Sequence, residues 1–456
     1  MRGTGEAQLV GDRDRVLDQS GFHVSAYHSI VRVDNYDQEY ALDAMTRGVK
    51  HGGMTTTAAP AQTPATARLP HGPGFWIIAL AFGTELAFCA VPTPLYAIYQ
   101  QRDGFPTIVL TVIFAAYAVG VMLSLYLAGH VSDWLGRRRV ILGSLLINLL
   151  AAILFLLWNN VAGLIVARFT SGLGIGILTA TATAHLSELG AAANHAKGRV
   201  ALVSTFANLG GIGLGPLIGG LIATWSTRPL IAPYVAFAVL LVVEGILVAF
   251  VPETVERREE RPAYRPQRVA VPAAGRGAFW AAGAAAFGAF AVFGTFMGLS
   301  STFLVGLLGL HSHLLAGLAP FVVFMAAALA QTATVRLAMR PQIGYAIALA
   351  AIGLVSIGVA AIVASLPLFL IGGGVAGAGI GILFRAALGT VAAVADAERR
   401  GEALSGIFLI AYAGMTIPPL LTAAALRVWP TVAVLFGLVT LAAILVAISG
   451  SRMLRH

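Results

Sequence analysis

The sequence predicts an all-α integral membrane protein with twelve transmembrane helices arranged as two pseudo-symmetric six-helix bundles. The composition is the first observation behind this prediction. Of 456 residues, 58% are hydrophobic and 11% are charged, and the mean hydropathy is +0.84. A soluble chain carries roughly a quarter charged residues. The other two observations are twelve separate apolar runs and a partial repeat of the first half in the second.

The apolar runs each approach the ~20 residues that cross a hydrocarbon core. Each run must be a helix, because lipid leaves no partner for unpaired backbone groups. The predicted spans, numbered 1 to 12, are residues 75–98, 107–128, 139–157, 161–186, 200–224, 232–251, 278–308, 315–335, 343–364, 367–393, 403–425 and 431–450.

The loop charges predict the orientation in the membrane. One face receives seventeen Lys and Arg residues and the other receives three, Arg102, Arg228 and Arg427. Basic loops stay in the cytoplasm. We therefore expect a multi-pass protein of a bacterial inner (plasma) membrane with both termini cytoplasmic. The net charge of +9 comes from short clusters between apolar runs, which indicates a membrane surface rather than nucleic acid as the partner.

The domain division follows the apolar runs. Residues 1–73 are predicted to be a disordered cytoplasmic extension, and Met54 resembles a bacterial start, which would leave 1–53 untranslated. Residues 74–251 and 278–450 are the predicted bundles. Residues 252–277, rich in Arg, Glu and Pro, are a cytoplasmic linker, and 451–456 are a cytoplasmic tail. We expect a monomer.

The two halves share sequence. SGLGIGIL at 171–178 in span 4 recurs as AGAGIGIL at 376–383 in span 10, 205 residues later. The segment 198–217 of span 5 parallels 401–420 of span 11 at an offset of 203 residues. Two ordered matches at nearly one offset indicate duplication, and repeated halves around a central site are typical of secondary transporters.

The loop between spans 2 and 3 reads GHVSDWLGRRRVIL. It resembles motif A of the major facilitator superfamily, in which a tight cytoplasmic turn joins two helix ends. The resemblance implies that Gly129 allows the close approach of another helix and that Gly136 allows the turn. The resemblance implies that Asp133 pairs with Arg137 and faces the positive N-terminus of span 11, as a latch that closes the cytoplasmic side. The alternative is a solvated loop with ordinary arginines. The positions involved are Gly129, Asp133, Gly136, Arg137 and Arg138.

Spans 4 and 5 carry two further resemblances to this family. Span 4 contains RFTSGLGIG, similar to motif B, beginning at Arg168. Span 5 contains GIGLGPLIGG, similar to motif C, which the family associates with antiporters and drug exporters. A glycine stripe there predicts close helix packing, plausibly against span 8. The motif C positions are Gly211, Gly215, Pro216, Gly219 and Gly220.

Four charged side chains within the apolar runs are candidate sites for proton coupling or substrate. Glu85 lies near the midplane of span 1, where a carboxyl can alternate between neutral and charged states. Arg168 costs ~2–3 kcal/mol to embed unless it is partnered. Its alternatives are substrate or proton-relay contact and a structural bond to backbone carbonyls. Glu244 in span 6 is a second proton site or structural. Arg385 in span 10 pairs with an acid or extends to the cytoplasmic edge.

An aromatic stripe in span 7 either packs against neighbouring helices or lines a hydrophobic pocket. Its members are Phe287, Phe290, Phe293 and Phe296. The single cysteine, Cys89, excludes a disulfide within the chain.

These features predict a secondary active transporter that exports a small amphipathic or drug-like compound in exchange for protons. Its partners are the lipid bilayer, a small-molecule substrate and protons. The alternatives are a proton-coupled importer of a sugar or metabolite and a transport-inactive sensor or scaffold. Fold alone does not separate them. The sequence contains no catalytic constellation, metal-ligand cluster, cofactor site or ATP-binding motif, so we expect no enzyme activity, no cofactor and an ion gradient as the energy source.

Overall fold

The computed structural model describes residues 68–255, 264–272 and 275–455. Most of the predicted N-terminal extension therefore lies outside the described residues. Within the described ranges the chain is almost entirely helical, without strands, and twelve helices are long and apolar enough to cross a membrane. They are His71–Asp103, Thr107–Ala128, Arg137–Leu157, Val161–Ala192, Lys197–Trp225, Ala232–Ala249, Arg276–Leu308, His313–Ala333, Met339–Val363, Leu366–Val394, Arg400–Ala425 and Thr431–Met453.

The number and order of the spans confirm the prediction, and their ends differ by a few residues. Span 1 differs most, since it continues past residue 98 to Asp103 through a polar turn. Gly104 then ends the helix at φ 68°, the left-handed conformation that glycine adopts at helix ends. Hydropathy marks only the apolar part of a helix, so it misses such a polar extension.

Span 1 is broken near its middle. It consists of the helices His71–Ala90 and Pro92–Asp103, which meet at Val91. Proline has no N–H group. Pro92 and Pro94 therefore remove the usual helical donors of the carbonyls of residues 88 and 90. The Phe88 carbonyl instead accepts the Val91 amide over 3.3 Å.

The sequence repeat corresponds to repeated helix contacts. In the first half, a Cβ atom added to Gly172 of span 4 would lie 2.2 Å from the Tyr117 carbonyl oxygen in span 2. In the second half, a Cβ on Gly377 of span 10 would lie 2.3 Å from the Val323 carbonyl oxygen in span 8. Gly172 and Gly377 are 205 residues apart. Both helix pairs thus need glycine at corresponding positions, because a side chain there would overlap the backbone of the neighbouring helix.

Spans 5 and 11 repeat a second contact. A Cβ on Gly211 would lie 2.6 Å from the Gly83 carbonyl oxygen of span 1, and a Cβ on Gly414 would lie 2.2 Å from the Phe287 carbonyl oxygen of span 7. Close approach of small residues is a common basis of helix association in lipid. The two halves are therefore built from the same pairings.

The end of the molecule at which the linker lies is here named the linker side, and the opposite end is named the far side. On the far side, the halves touch through spans 5 and 8. A Cβ on Gly220 would lie 2.5 Å from the His313 carbonyl oxygen, and one on Gly317 would lie 2.1 Å from the Pro216 carbonyl oxygen. This conformation is therefore packed shut between spans 5 and 8 on the far side.

On the linker side, residues 264–270 run between span 2 and span 11. The Gln267 amide donates to the Tyr126 carbonyl over 2.8 Å, and the Tyr264 hydroxyl donates to the Leu127 carbonyl over 2.9 Å. The Ala270 amide donates to the Glu402 carbonyl over 3.4 Å. The linker thus bonds to the end of span 2 in the first half and to the beginning of span 11 in the second half.

Candidate transport site

The loop between spans 2 and 3 forms the predicted turn. Gly136 has a φ of 103°, which a residue with a side chain rarely adopts. Arg137 Nη1 lies 2.6 Å from Asp133 Oδ1, as predicted, and Arg137 Nη2 lies 3.1 Å from Glu188 of span 4. The Glu253 carboxylate accepts the Arg137 amide over 2.8 Å. The turn is therefore bound to span 4 and to the start of the linker.

Two predictions for this loop differ from the structure. A Cβ on Gly129 would meet only Leu125 of its own span, so the predicted close approach of another helix at Gly129 is wrong. The Asp133 side chain is 63% exposed, and its described ion pair is with Arg137. In this conformation the described part of the linker contacts the beginning of span 11. The latch between Asp133 and span 11 stays a prediction for another conformation.

The glycine stripe of span 5 packs closely, but against a different helix. Gly211, Gly215 and Gly219 contact the backbone of span 1, not that of span 8. The adjacent face of span 5 contacts span 8. The residues of that face in contact with span 8 are Gly213, Pro216 and Gly220. Because the kink of span 1 lies beside Gly219, the stripe holds span 1 on both sides of its break.

Glu85 is completely buried inside the N-terminal half. Its Oε2 atom accepts hydrogen bonds from Ser144 Oγ over 2.5 Å and from Asn148 Nδ2 over 2.6 Å, both on span 3. Glu85 Oε1 and Asn148 Oδ1 have no partner. A proton on Oε1 would neutralise the buried carboxyl, whose Oε2 atom accepts both described hydrogen bonds. The arrangement suits a carboxyl that binds and releases a proton.

Glu244 of span 6 belongs to the same interior. It is 3% exposed, its Oε2 atom has no partner, and its carboxyl neighbours the Thr84 hydroxyl. Thr84 directly precedes Glu85 in span 1, so both carboxyls stand beside the same turn of that helix. No described Lys or Arg forms an ion pair with either acid. Two embedded carboxyls without a basic partner are costly unless at least one carries a proton.

Arg168 of span 4 lies one helical turn of span 1 away from Glu85. Its Nη1 donates to the Cys89 carbonyl in the broken part of span 1. The guanidinium carbon lies 4.6 Å from the ring centre of Tyr117 and 5.8 Å from that of Phe114. The side chain is 2% exposed and Nε has no partner. Arg168 thus makes the predicted structural bond to a backbone carbonyl, and its guanidinium still has an N–H donor without a partner.

The same aromatic rings face the C-terminal half. Phe114 lies against Gly298 of span 7, at 3.3 Å from a Cβ on that glycine. The Tyr412 hydroxyl of span 11 acts electrostatically on Tyr117 and Cys89. The Tyr412 ring lies 5.4 Å from Phe290, which in turn lies 4.9 Å from Phe384. We name the group Cys89, Tyr117, Arg168, Phe290 and Tyr412 the central site.

Arg385 does not join the central site. Its Nη1 donates to the Gln331 carbonyl over 2.7 Å, in the last turn of span 8. No described acid pairs with Arg385, and its guanidinium instead extends to the linker-side end of span 8. A cation at the C-terminal end of a helix satisfies free carbonyls and opposes the helix dipole. Arg385 therefore stabilises the end of span 8.

The structure brings only part of the predicted set together. Glu85 and Glu244 share one interior, Arg168 lies a turn away between the halves, and Arg385 is elsewhere. Sequence reasoning missed Ser144 and Asn148, although polar residues inside an apolar run were a signal. No three described His, Cys, Asp or Glu side chains are placed to hold a metal ion.

A small pocket with a volume of about 20 Å³ lies outside the central site. It is lined mainly by apolar side chains of spans 7, 9, 10 and 12, including Phe296, Leu354 and Leu438. The hydroxyls on its wall, Thr295 and Ser300, are already bonded to backbone carbonyls. This cavity therefore offers no polar group to orient a ligand.

The chain was compared with known proteins. It is 29% identical over 161 residues to mouse solute carrier family 2, facilitated glucose transporter member 4, and that match covers 33% of this chain and 31% of the mouse protein. It is 32% identical over 172 residues to probable inositol transporter 2 of Arabidopsis thaliana, covering 35% and 28%. The matches thus span about a third of those proteins.

Solved structures extend the likeness to the whole fold. The crystal structure of the human organic anion transporter MFSD10 (TETRAN) superposes with a TM-score of 0.60 at 18% identity, covering 83% of this chain and 100% of that one. At this identity the likeness concerns the fold alone. A sequence model of the Major Facilitator Superfamily matches residues 74–357, more than half of the chain. Together with the twelve spans in two halves, this match shows a transporter, not an enzyme, that belongs to the Major Facilitator Superfamily.

Proposed function

We propose that this transporter carries a small amphipathic organic anion, and that a proton on Glu85 accompanies the anion in the same direction. One observation carries the proposal. The Arg168 guanidinium is buried beside two aromatic rings of span 2, of which Phe114 contacts the C-terminal half, and no carboxylate pairs with it in the described ranges. A buried charge needs a partner. A substrate carboxylate, sulfonate or phosphate would provide one, and guanidinium binds such groups through two parallel hydrogen bonds.

The C-terminal wall favours a substrate with an apolar part. Phe290, Phe384 and Tyr412 form that wall, and the nearby Gln331 amide is already bonded to the Gly381 carbonyl. Sugar hydroxyls need many polar partners, because a buried unpaired hydroxyl costs free energy. Aromatic rings instead suit a flat apolar body.

The sign of the coupling follows from the charges. Ionised Glu85 would lower the positive potential around Arg168, whereas protonated Glu85 leaves it intact. An anion therefore binds better when Glu85 is protonated, and by reciprocity the anion favours protonation. Coupling between two sites is commonly of order 1–3 kcal/mol. Proton and anion then move together, which is cotransport.

The orientation is part of the proposal. The excess of basic residues on the linker side supports a cytoplasmic linker and cytoplasmic termini. With that orientation, the contact between spans 5 and 8 closes the outer side in this conformation. An inward proton gradient would then drive uptake of the anion.

Proton-driven export, expected from the sequence, is the second candidate. Span 5 does carry the full motif C pattern, and its glycines pack against spans 1 and 8 as an external seal would. Exchange requires the opposite linkage, in which ionised Glu85 promotes substrate binding. That linkage suits an amphipathic cation.

Cys89 provides a first test, because it is the single cysteine and its carbonyl binds Arg168. The purified protein in nanodiscs is treated with a negatively charged methanethiosulfonate sulfonate and with its trimethylammonium counterpart. The reaction rate of each reagent with Cys89 is divided by its rate with a free thiol in solution, which corrects for the intrinsic reactivity of the reagent. We expect the anionic reagent to react about tenfold faster, since a local potential concentrates the opposite charge. Arg168→Gln removes the preference, and Cys89→Ser is the control for specific labelling.

A faster reaction of the cationic reagent, or a preference that survives in Arg168→Gln, would contradict the anion site. A cationic preference would favour the export candidate.

A second test measures the direction of proton movement. Proteoliposomes containing the protein receive fluorescein, a fluorescent amphipathic anion, ethidium, an amphipathic cation, or myo-inositol. We expect fluorescein uptake with internal acidification, lost in Glu85→Gln. Ethidium movement against the proton would establish export instead, and proton-driven myo-inositol uptake would establish the sugar-type importer that the curated relatives suggest. If the protein binds one of these three ligands but exchanges none of them across the proteoliposome membrane, it would be a sensor.

A further inference from the structure

Residues 264–271 of the linker, here named the strap, cross the linker side from one half of the molecule to the other. Pro266 lies inside the strap and Pro272 follows it, and these residues form neither a helix nor a turn. Proline lacks the N–H group that a helix needs, and the residue before a proline is restricted to extended conformations. The strap is therefore an extended chain whose amide groups need partners outside the strap.

The first part of the strap is bound to the end of span 2. The Gln267 amide donates to the Tyr126 carbonyl over 2.8 Å, and the Tyr264 hydroxyl donates to the Leu127 carbonyl over 2.9 Å. The Tyr264 ring stacks on the His130 ring of the following loop, with 6.0 Å between the ring centres. The last carbonyls of a helix have no helical donor. The strap thus supplies two donors that the end of span 2 needs.

The last part of the strap is bound to the first turns of span 11. The Ala270 amide donates to the Glu402 carbonyl over 3.4 Å, and Ala270 is buried. Val269 Cγ1 lies 3.1 Å from a Cβ placed on Gly406. In an extended chain, amides three residues apart point to opposite edges. One edge of the strap therefore faces span 2 and the other faces span 11, so the strap lies between the two helix ends.

The described residues leave open space at the beginning of span 11. A Cβ on Gly401 would meet nothing within 4 Å. The Asp133 side chain, which the sequence predicts to face this helix end, is 63% exposed. Since the far side is packed shut between spans 5 and 8, the next step of alternating access brings the two halves together on the linker side. The strap occupies the place where the ends of spans 2 and 11 would then meet.

We propose that the strap is a conformational restraint, which holds the linker side open and must leave span 2 or span 11 before that side closes. The restraint acts through differential contacts, because the hydrogen bonds to both helices form only while the strap lies between them. Release of the strap is then a separate step of the transport cycle. This inference holds for any substrate and does not depend on the proton site.

The distance between two spin labels tests the restraint without a substrate. The labels are attached through Arg139→Cys in the first half and Arg340→Cys in the second, both exposed on the linker side, in full-length protein that carries Cys89→Ser. Double electron–electron resonance in nanodiscs then gives a long distance when the linker side is open and a shorter one when it is closed.

Two substitutions remove the bonds to span 2. Tyr264→Phe removes the hydroxyl, and Gln267→Pro removes the amide hydrogen. Because each buried hydrogen bond changes an equilibrium severalfold, we expect the double variant to raise the ratio of the short to the long distance about tenfold. Each single variant should raise it about threefold. Val269→Ala, which trims the contact with Gly406, should act in the same direction.

The matched control is Gln267→Ala, which keeps the backbone amide and should leave the ratio of the two distances unchanged. Arg265→Ala, at an exposed position of the strap, should also leave it unchanged. Size-exclusion chromatography checks that each variant is folded. An unchanged or smaller ratio in folded Tyr264→Phe and Gln267→Pro would overturn the restraint, as would an equal rise in Gln267→Ala. These distances leave the anion site and Glu85 to the labelling and uptake tests.

Discussion

The two halves of the molecule share their helix contacts and differ in their chemistry. The glycine contacts of spans 2 with 4 and 1 with 5 recur in spans 8 with 10 and 7 with 11. The repeated contacts match span 1 with span 7 at an offset of 204 residues, span 3 with span 9 at 202 and span 4 with span 10 at 205. At these offsets the polar residues of the first half are replaced by small apolar ones. The pairs are Glu85 with Ala289, Ser144 with Ala346, Asn148 with Ala350 and Arg168 with Gly373.

Span 4 and span 10 show the physical basis of this difference. A Cβ on Gly174 would lie 2.9 Å from the side-chain amide of Asn148, whereas a Cβ on Gly379 would lie 2.3 Å from the backbone nitrogen of Ala350. The first half uses the space beside its glycine for a polar side chain, and the second half uses it for closer helix packing. Close packing is required in both halves, but embedded polar groups are costly and persist where they act.

The largest effect on transport is expected at Glu85, whose counterpart in the second half is Ala289. Glu85→Gln keeps the size and the hydrogen-bond acceptor but removes the titration, so accumulation driven by a proton gradient should fall about a hundredfold. Exchange of labelled fluorescein across proteoliposomes at equal pH should persist. A variant that loses both activities while folded would show that Glu85 supports the structure or the substrate instead of coupling.

The shared contacts predict equal stability losses in the two halves. Gly172→Ala and Gly377→Ala each place a Cβ within 2.3 Å of a backbone carbonyl oxygen. Each should cost about 1–3 kcal/mol of folding free energy, since overpacking forces the helices apart. Thermal unfolding in detergent measures the loss.

The matched controls are Gly198→Ala and Gly401→Ala, where a Cβ meets nothing within 4 Å. A large difference between the two halves, or equal losses at the control positions, would show that the contacts are not equivalent.

A smaller effect is expected from buried hydroxyls. Ser144→Ala removes a donor to Glu85, and Ser300→Ala removes a hydroxyl of span 7 that donates to the Ala316 carbonyl over 3.1 Å. A hydrogen bond to a charged group contributes about 1.5–3 kcal/mol. Ser144→Ala should therefore change proton-driven uptake severalfold and alter its pH profile. Ser300→Ala should leave the pH profile as in wild type, and an equal change in both would argue against a special role of Ser144.

The smallest effect is expected at Asp133. Its ion pair with Arg137 is 63% exposed on the aspartate side, and exposed pairs contribute about 0–1 kcal/mol. Asp133→Asn should thus change the unfolding temperature little in this conformation. A strong change in transport rate with unchanged stability would instead support the predicted latch with span 11 in another conformation.

The fold was largely accessible from the sequence, and the site only in part. Hydropathy located all twelve spans because lipid excludes unpaired backbone groups, and the same apolar runs made Glu85 and Arg168 conspicuous. Ser144 and Asn148 escaped notice because composition does not tell which way a helix face points. The partners of Gly129 and of the span 5 stripe were also wrong, since one sequence carries no information on which helices meet.

Span 5 contains one wide turn with a mechanical consequence. Residues Phe206–Gly210 form a π-helical turn, and the segment Lys197–Thr205 before it has no buried residue. Beyond the turn, glycine contacts anchor the helix to spans 1 and 8. Span 5 is therefore a tightly anchored arm joined by the π turn to a less buried arm, in which Val200 contacts Gly190 of span 4. π turns within α-helices are frequent at functional sites. Bending at this turn would move the linker-side arm and leave the contact between spans 5 and 8 on the far side intact.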